Sequence, residues 1–389
     1  MSIEIVGFGL EDKKNIKKFA MFPWKHYKKD PHYVPRLTGE LLGNKLLGMH
    51  GLLTDQHPYH EHAEVRHWLI YKSGKLVGRV SGAINQEYNK LHDIKLANFG
   101  FFECINDEDV SKALLDTVCN WAREKGMEVV RGPGAYSNIT HEPYQCCLID
   151  NFHDDPCLEM PYHHPYYASL YEKYGFKKAK DYFAIEMSKH HPYTEKETRL
   201  MGLVKKRYKL ETRPLNMKNM KKEVHTIVRL YNESWLNNWG FLPIKESEGD
   251  ALADTLMLIA VPELIRFAMI DGKEIAVVGF LPDLHEKFVR KKSLFGNSDI
   301  IRIARMYLGK KNIERYRFMF LGVEPEYRHT GADSLLSFEI RLNLDKVRPK
   351  AKRVEASLLL EDNHAIINLA QKRGMGHINK TYRVYDYKL

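Results

Sequence analysis

The order of structure-forming segments in this chain repeats. Two runs of alternating polar and apolar residues, Val65–Tyr71 and Leu76–Asn85, meet at a Ser-Gly-Lys turn. A third strand-like run, Leu96–Glu103, leads into a helix expected over Asp107–Gly126, and a short strand-like run, Glu128–Arg131, follows. The same succession returns later: Leu264–Ile270 and Glu274–Phe280 across Asp271-Gly272, then Arg317–Val323 into Gly331–Val347, then Arg353–Leu360. In the first of these helices Val110, Leu114, Leu115, Val118, Trp121 and Ala122 keep i, i+3, i+4 spacing, which makes one face apolar. A hairpin followed by strand, helix and strand, given twice, leaves one architecture: an α/β (α+β layered) fold of two lobes. Each lobe is expected to hold a mixed, mostly antiparallel sheet flanked by helices.

At 389 residues the chain exceeds what one core usually organises. The expected boundary is the polar stretch Ser188–Arg199, between strand-like runs at Tyr182–Met187 and Arg207–Pro214. This gives an N-terminal lobe over residues 1–190 and a C-terminal lobe over 200–389. Further expected elements are a strand at Ile3–Phe8, a helix from Glu11 and an irregular stretch from Asp30 to His62. Helices are expected at Pro165–Tyr174, Met217–Leu236, Ser247–Val261 and Asn363–Arg373, and a strand pair near Thr381–Lys388.

With 44% hydrophobic and 28% charged residues, the composition excludes a wholly disordered chain. No apolar run approaches the ~20 residues that cross a bilayer. Met1–Lys14 lacks the basic-then-apolar pattern of a secretory leader. The five cysteines show no C-x-x-C spacing, so reduced thiols and a cytoplasmic location are expected. His57, His60 and His62 match no zinc framework, and no metal is expected. Adjacent Cys146 and Cys147 lie in an apolar run and read as buried thiols.

Charge is unevenly placed. Residues 200–389 hold 34 Lys or Arg against 23 Asp or Glu, so their net of +11 exceeds the +10 of the whole chain. Positive charge so concentrated favours an anionic visitor. Within it, the insertion 285–317 carries ten basic and three acidic residues interleaved with apolar ones. A solvated face is its simplest reading; an amphipathic lid, an acidic-acceptor clamp, a tRNA contact and an anionic-lipid contact stay open.

The segment Leu321-Gly322-Val323-Glu324-Pro325-Glu326-Tyr327-Arg328-His329-Thr330-Gly331-Ala332-Asp333 joins a strand to a helix through a glycine. Backbone N–H groups and the positive end of the helix would there face an anion, with glycine allowing close approach and Arg328 adding charge. The simpler reading is a strand–turn–helix junction with Thr330 as helix cap. This segment resembles the acyl-CoA signature of the GNAT acyltransferases. The resemblance implies that Leu321, Gly322, Val323, Arg328, His329, Thr330, Gly331, Ala332 and Asp333 contact the cofactor. Asp333 departs from the small residue usual at the last position.

A second stretch, Asn363 to Met375, is similar to the helix that follows in that family. It implies Asn363 as a further cofactor residue, and it puts Ala370 where many GNAT enzymes carry a tyrosine acid. In the N-terminal lobe Tyr171 keeps the tyrosine, yet Asp107, Glu108 and Asp109 replace the phosphate loop. That lobe is therefore expected to be degenerate and Tyr171 to be a packed residue. Phrases such as Asp30-Pro-His-Tyr-Val-Pro35 and Met160-Pro-Tyr-His-His-Pro-Tyr-Tyr167 resemble a bacterial family of tandem GNAT-like proteins without an established acceptor.

The resemblance implies an acyl-CoA-dependent N-acyltransferase. Acetyl-CoA, ahead of any other acyl-CoA, would be the donor, and a small-molecule or peptide amine between the lobes the acceptor. Backbone N–H groups around Gly322 and Val323 would polarise the thioester, and Glu361 or Glu355 would take the amine proton. Two other classes remain open: a ligand-binding GNAT fold without turnover, favoured by Asp333 and Ala370, and a Fem-type transferase using aminoacyl-tRNA. Oligomeric state is not legible.

Overall fold

Turn chemistry and helix caps set the elements in chain order. The computed structural model describes residues 2–134, 145–188, 194–287, 298–364, 366–368 and 376–389. It opens with β1 (Ile3–Phe8), α1 (Lys13–His26) and the one-turn helix α2 (Thr38–Leu42). β2 (Ala63–Lys72) and β3 (Lys75–Asn85) pair antiparallel around Ser73-Gly74, whose φ values of 49° and 74° suit a two-residue hairpin turn. Then come α3 (Gln86–His92), β4 (Leu96–Cys104), α4 (Glu108–Glu124) and β5 (Val129–Gly132). Asp107 starts α4 by accepting the Val110 N–H. The apolar face of α4 then packs with Trp68, Val80, Phe99 and Tyr171 in one core. β6 (Cys147–Leu148), α5 (Tyr167–Tyr174) and β7 (Lys177–Ser188) follow.

The polar stretch expected to be a boundary is in part a helix, α6 (Glu195–Arg207). Thr194 and Glu197 form a capping box, and Lys205, Lys206 and Arg207 complement the dipole at the other end. No residue of α6 is buried, and its short apolar stripe of Leu200, Leu203 and Val204 sits between polar turns at both ends. The strand expected at Arg207 begins only at Glu211, in β8 (Glu211–Pro214). Next are α7 (Met220–Ser234), α8 (Glu246–Ile259), β9 (Ile265–Ile270) and β10 (Lys273–Pro282). After them come α9 (Asp299–Gly309), β11 (Arg315–Val323), α10 (Ala332–Val347), β12 (Arg353–Leu360) and β13 (Gly376–Lys388). β13 is one strand where a pair was expected.

The wiring of the first half recurs in the second. β4 pairs antiparallel with β3 and parallel with β5, and α4 makes the crossover. β11 pairs antiparallel with β10 and parallel with β12, and α10 makes the crossover. Contacts divide the chain into two units, one of Met1–Phe183, Phe288–Arg305 and Lys380–Leu389, the other of Ala184–Lys287 and Met306–Asn379. In the first, β5 and β6 pair with β13. In the second, the order is β12-β11-β10-β9-β8. No described helix is long and apolar enough to cross a membrane.

Candidate functional site

In the second unit, β11 and β12 share four register pairs, Arg315–Arg353 to Phe318–Ala356. β11 then runs on to Val323 and β12 to Leu360 without further pairing between them among the described residues. Two parallel strands that stop pairing leave a wedge with free backbone groups at its edges. Phe318, Met319, Phe320 and Leu321 on one strand and Leu358, Leu359 and Leu360 on the other are half-buried. The wedge therefore offers apolar walls and backbone polar groups together.

β11 ends in the loop that the sequence singled out. Pro325–Thr330 form a short 3-10 turn, and Gly331, at φ 73°, precedes α10. Thr330 does not cap the helix: its hydroxyl donates back to the Tyr327 carbonyl at 2.6 Å. Gly331 occupies the cap position and supplies no side-chain oxygen, so the leading N–H groups of α10 have no side-chain cap. This is the local arrangement that attracts an anion. Ala332 is buried, Asp333 is half-buried in the first turn, and Arg328 and His329 are exposed. Arg328 donates to the Ser234 carbonyl at 2.7 Å, at the end of α7, and His329 lies edge-on to Tyr208 at 6.0 Å.

The loop is anchored from below. Glu324 is buried between Arg229 and Lys273, the latter at 2.6 Å. Burial pushes its carboxyl up, but the hydrogen bonds from Lys273 and Arg229 outweigh this and hold it below the usual carboxylate range. Trp235 Nε1 donates to the Leu321 carbonyl at 3.3 Å. Gly322 is packed so closely that a Cβ would stand 3.0 Å from Ser234 Oγ. Arg229, Lys273, Ser234 and Trp235 carry no local sequence signal, because only the packing of α7 and the β9–β10 hairpin brings them here.

Of the two candidate bases, Glu355 is buried and Glu361 is half-buried in the turn after β12. Glu355 Oε1 accepts the Ser357 hydroxyl at 3.1 Å, and its Oε2 has no hydrogen-bond partner among the described residues. Arg317 donates to Ser357 Oγ at 3.2 Å and to the Ser357 carbonyl at 2.7 Å. A buried carboxylate with one open oxygen, just below the point where the ladder opens, can accept a proton. Asn363 starts the next helix, with Ile367 N–H bonded to its carbonyl. Ala370 lies outside the described residues.

The charged insertion is not simply a solvated face. Arg302, Arg315 and Arg317 are buried, and the last two lie in β11. Arg315 pairs with the fully buried Asp283 at 2.6 Å.

The first unit has the same wedge, with β4 and β5 paired over only Leu96–Asn98, but aromatic rings fill its core. Phe99, Phe102, Tyr167, Tyr171 and Phe176 pack with ring centroids 5.1 to 6.4 Å apart. The Tyr166 and Tyr167 hydroxyls donate to the Cys104 carbonyl at 2.7 and 3.2 Å. Tyr171 is fully buried. Glu103 pairs with Arg79, and Asp107 pairs with Lys72 at 2.5 Å. His57, His60 and His62 each bond locally, to Tyr59 N–H, to the Leu52 carbonyl and to Asn85. Among the described residues no group of side chains is arranged to hold a metal. Cys147 is buried, which pushes its thiol far above the usual range.

Solved structures share this duplicated wiring over the full length. A tandem GNAT protein from the clavulanic acid biosynthesis pathway superposes with a TM-score of 0.55 at 11% identity, covering 100% of this chain and 98% of its own. This chain has the tandem GNAT fold. A probable N-acyltransferase from Enterococcus faecalis V583 gives a TM-score of 0.52 at 8% identity, over 100% of this chain and 73% of that one. In sequence, the chain is 28% identical to the bacterial ceramide synthase of Caulobacter vibrioides, over 96% of this chain and 95% of that protein. It is 26% identical to protein YghO of Escherichia coli, over 97% and 94%. No family model matches the sequence.

Proposed function

We propose that this tandem GNAT chain is an acyl-CoA-dependent N-acyltransferase that joins a fatty acyl group to the amine of a long-chain amino alcohol. The observation that carries the reading is the wedge between β11 and β12, apolar-walled and opening beside the uncapped start of α10. The helix start and Gly331 would take the cofactor pyrophosphate, and the half-buried Phe318–Leu321 and Leu358–Leu360 would take acyl chain and pantetheine. A ceramide is a long-chain amino alcohol with a fatty acyl group on its nitrogen. Similarity to a ceramide synthase over almost the whole chain therefore favours a fatty donor over the acetyl donor expected from the motif.

The reaction needs few groups. The amine nitrogen attacks the thioester carbon, a C–N bond forms, and the C–S bond breaks. The nitrogen's proton passes to Glu355, and CoA leaves as a thiolate that is then protonated. Backbone N–H groups near Gly322 and Val323 would stabilise the oxyanion.

The test mixes purified protein with palmitoyl-CoA and sphinganine, and in parallel with acetyl-CoA. Thiol release and the mass of the amide are the readouts. Amide formed from palmitoyl-CoA and sphinganine supports the reading; product from acetyl-CoA alone returns the donor to acetyl. Acyl-CoA binding without amide from any amine overturns catalysis in favour of a binding fold.

A further inference from the structure

Helix α9 (Asp299–Gly309) is built inside out. Its buried side carries two charged residues, Asp299 and Arg302, ahead of the buried Met306, and Asp299 accepts the Thr38 and Gly39 N–H groups at 2.8 and 2.6 Å. Arg302 is fully buried, donating to the Arg36 carbonyl at 2.5 Å and to the Pro35 carbonyl. Its outer side is apolar. Ile300, Tyr307 and Leu308 are 59%, 62% and 81% exposed, and the exposed Ala304 falls between them at helical spacing. A solvated surface helix shows the opposite pattern.

The same face is basic and carries no acid. Arg305 is exposed beside it, and Lys310 and Lys311 follow its end, with Lys310 Nζ 3.8 Å from the Tyr307 ring centroid. Between Ile300 and Lys311 there is no Asp or Glu. Exposed aliphatic side chains with a tyrosine at their edge and lysines beyond suit the boundary between acyl chains and anionic headgroups. A water-facing or nucleic-acid-facing surface would not keep Ile300 and Leu308 bare.

We infer that α9 docks on an anionic lipid bilayer, with Ile300, Tyr307 and Leu308 in the interface and Arg305, Lys310 and Lys311 among the headgroups. The occupant is a membrane surface, and the helix lies on it without spanning it.

Sedimentation of the full chain with vesicles tests this. One set is phosphatidylcholine alone; the other is phosphatidylcholine mixed with phosphatidylglycerol. The mixed vesicles carry the protein down and the neutral ones bind it far less. The Tyr307→Ser/Leu308→Ser double variant binds mixed vesicles roughly tenfold more weakly. Lys310→Gln/Lys311→Gln loses about as much on mixed vesicles and little on neutral ones. All these side chains are exposed or half-buried, and circular dichroism of each variant verifies that it folds. Failure to sediment with mixed vesicles, or sedimentation unchanged by Tyr307→Ser/Leu308→Ser, overturns the inference. So does a concentration-dependent dimer that these substitutions dissolve while vesicle binding is absent. The assay contains neither CoA nor amine, so its failure leaves the acyl-transfer reading standing.

Discussion

Arg317 and Glu355 stand opposite each other in the parallel ladder of β11 and β12, and neither side chain reaches solvent. Ser357 joins them, its hydroxyl accepting from Arg317 Nε and donating to Glu355 Oε1. Glu355 Oε2 is the one buried polar atom of this triad without a hydrogen-bond partner among the described residues.

Glu355→Gln keeps volume and the Ser357 hydrogen bond but cannot take a proton. If Glu355 is the base, kcat falls on the order of a hundredfold with KM for acyl-CoA nearly unchanged, and the acidic limb of the pH–rate profile disappears. An unaltered kcat would transfer the role to Glu361 or to water.

Gly331→Glu places a carboxylate at the helix start and a side chain where φ is 73° and a Cβ meets Val204 at 3.3 Å. Calorimetric titration with CoA should show at least tenfold weaker binding. Gly331→Ala shares the backbone strain but not the charge, so it should bind more tightly than Gly331→Glu. Equal affinity of wild type and Gly331→Glu would remove the cofactor from this loop.

The first unit should weaken in mild acid. Burial, chiefly, depresses His67 and His26 to about 3 and His163 to about 4. The unfolded chain takes up these protons near pH 6.5 while the folded chain does not, so stability present above pH 6.5 is lost as pH falls from there toward 4 and 3. His67, bonded to Ser81 at 2.6 Å among Phe8 and Phe19, is the cleanest probe. His67→Phe should flatten the fall in urea midpoint between pH 7 and pH 5. An unchanged slope would mean that His67 is protonated in the folded state.

Arg302→Met removes a buried guanidinium that binds two carbonyls and lies 5.5 Å from the Trp24 ring. Leaving those carbonyls unpaired costs roughly 2 to 5 kcal/mol. Early proteolysis near residues 35–42, ahead of the β2–β3 hairpin, would reveal the loss; a cleavage pattern like that of wild type would mean that the loop holds itself.

Much of the fold is local chemistry and could be read directly. Hairpin alternation, the Asp271-Gly272 turn, the apolar face of α4 and the Gly331 junction depend on residues close in sequence. Helix α6 escaped because it buries nothing and its first turn is polar, so its start looks like a loop until the capping box is seen. The strand–glycine–helix loop was legible as a motif, while its supports at Arg229, Lys273 and Trp235 were not, since α7 and the β9–β10 hairpin meet it only in three dimensions.

The sequence alone determined the duplicated order of elements, the strand–glycine–helix junction and the concentration of charge in the second half, because each is a pattern along the chain. Tertiary structure decided the rest. Parallel register sets Glu355 beside Arg317 and ends the ladder where the wedge begins. The packing of α9 turns Arg302 inward and leaves Leu308 outside, reversing what composition suggested for that charged stretch. Register and burial depend on which distant segments meet, and no local pattern encodes that.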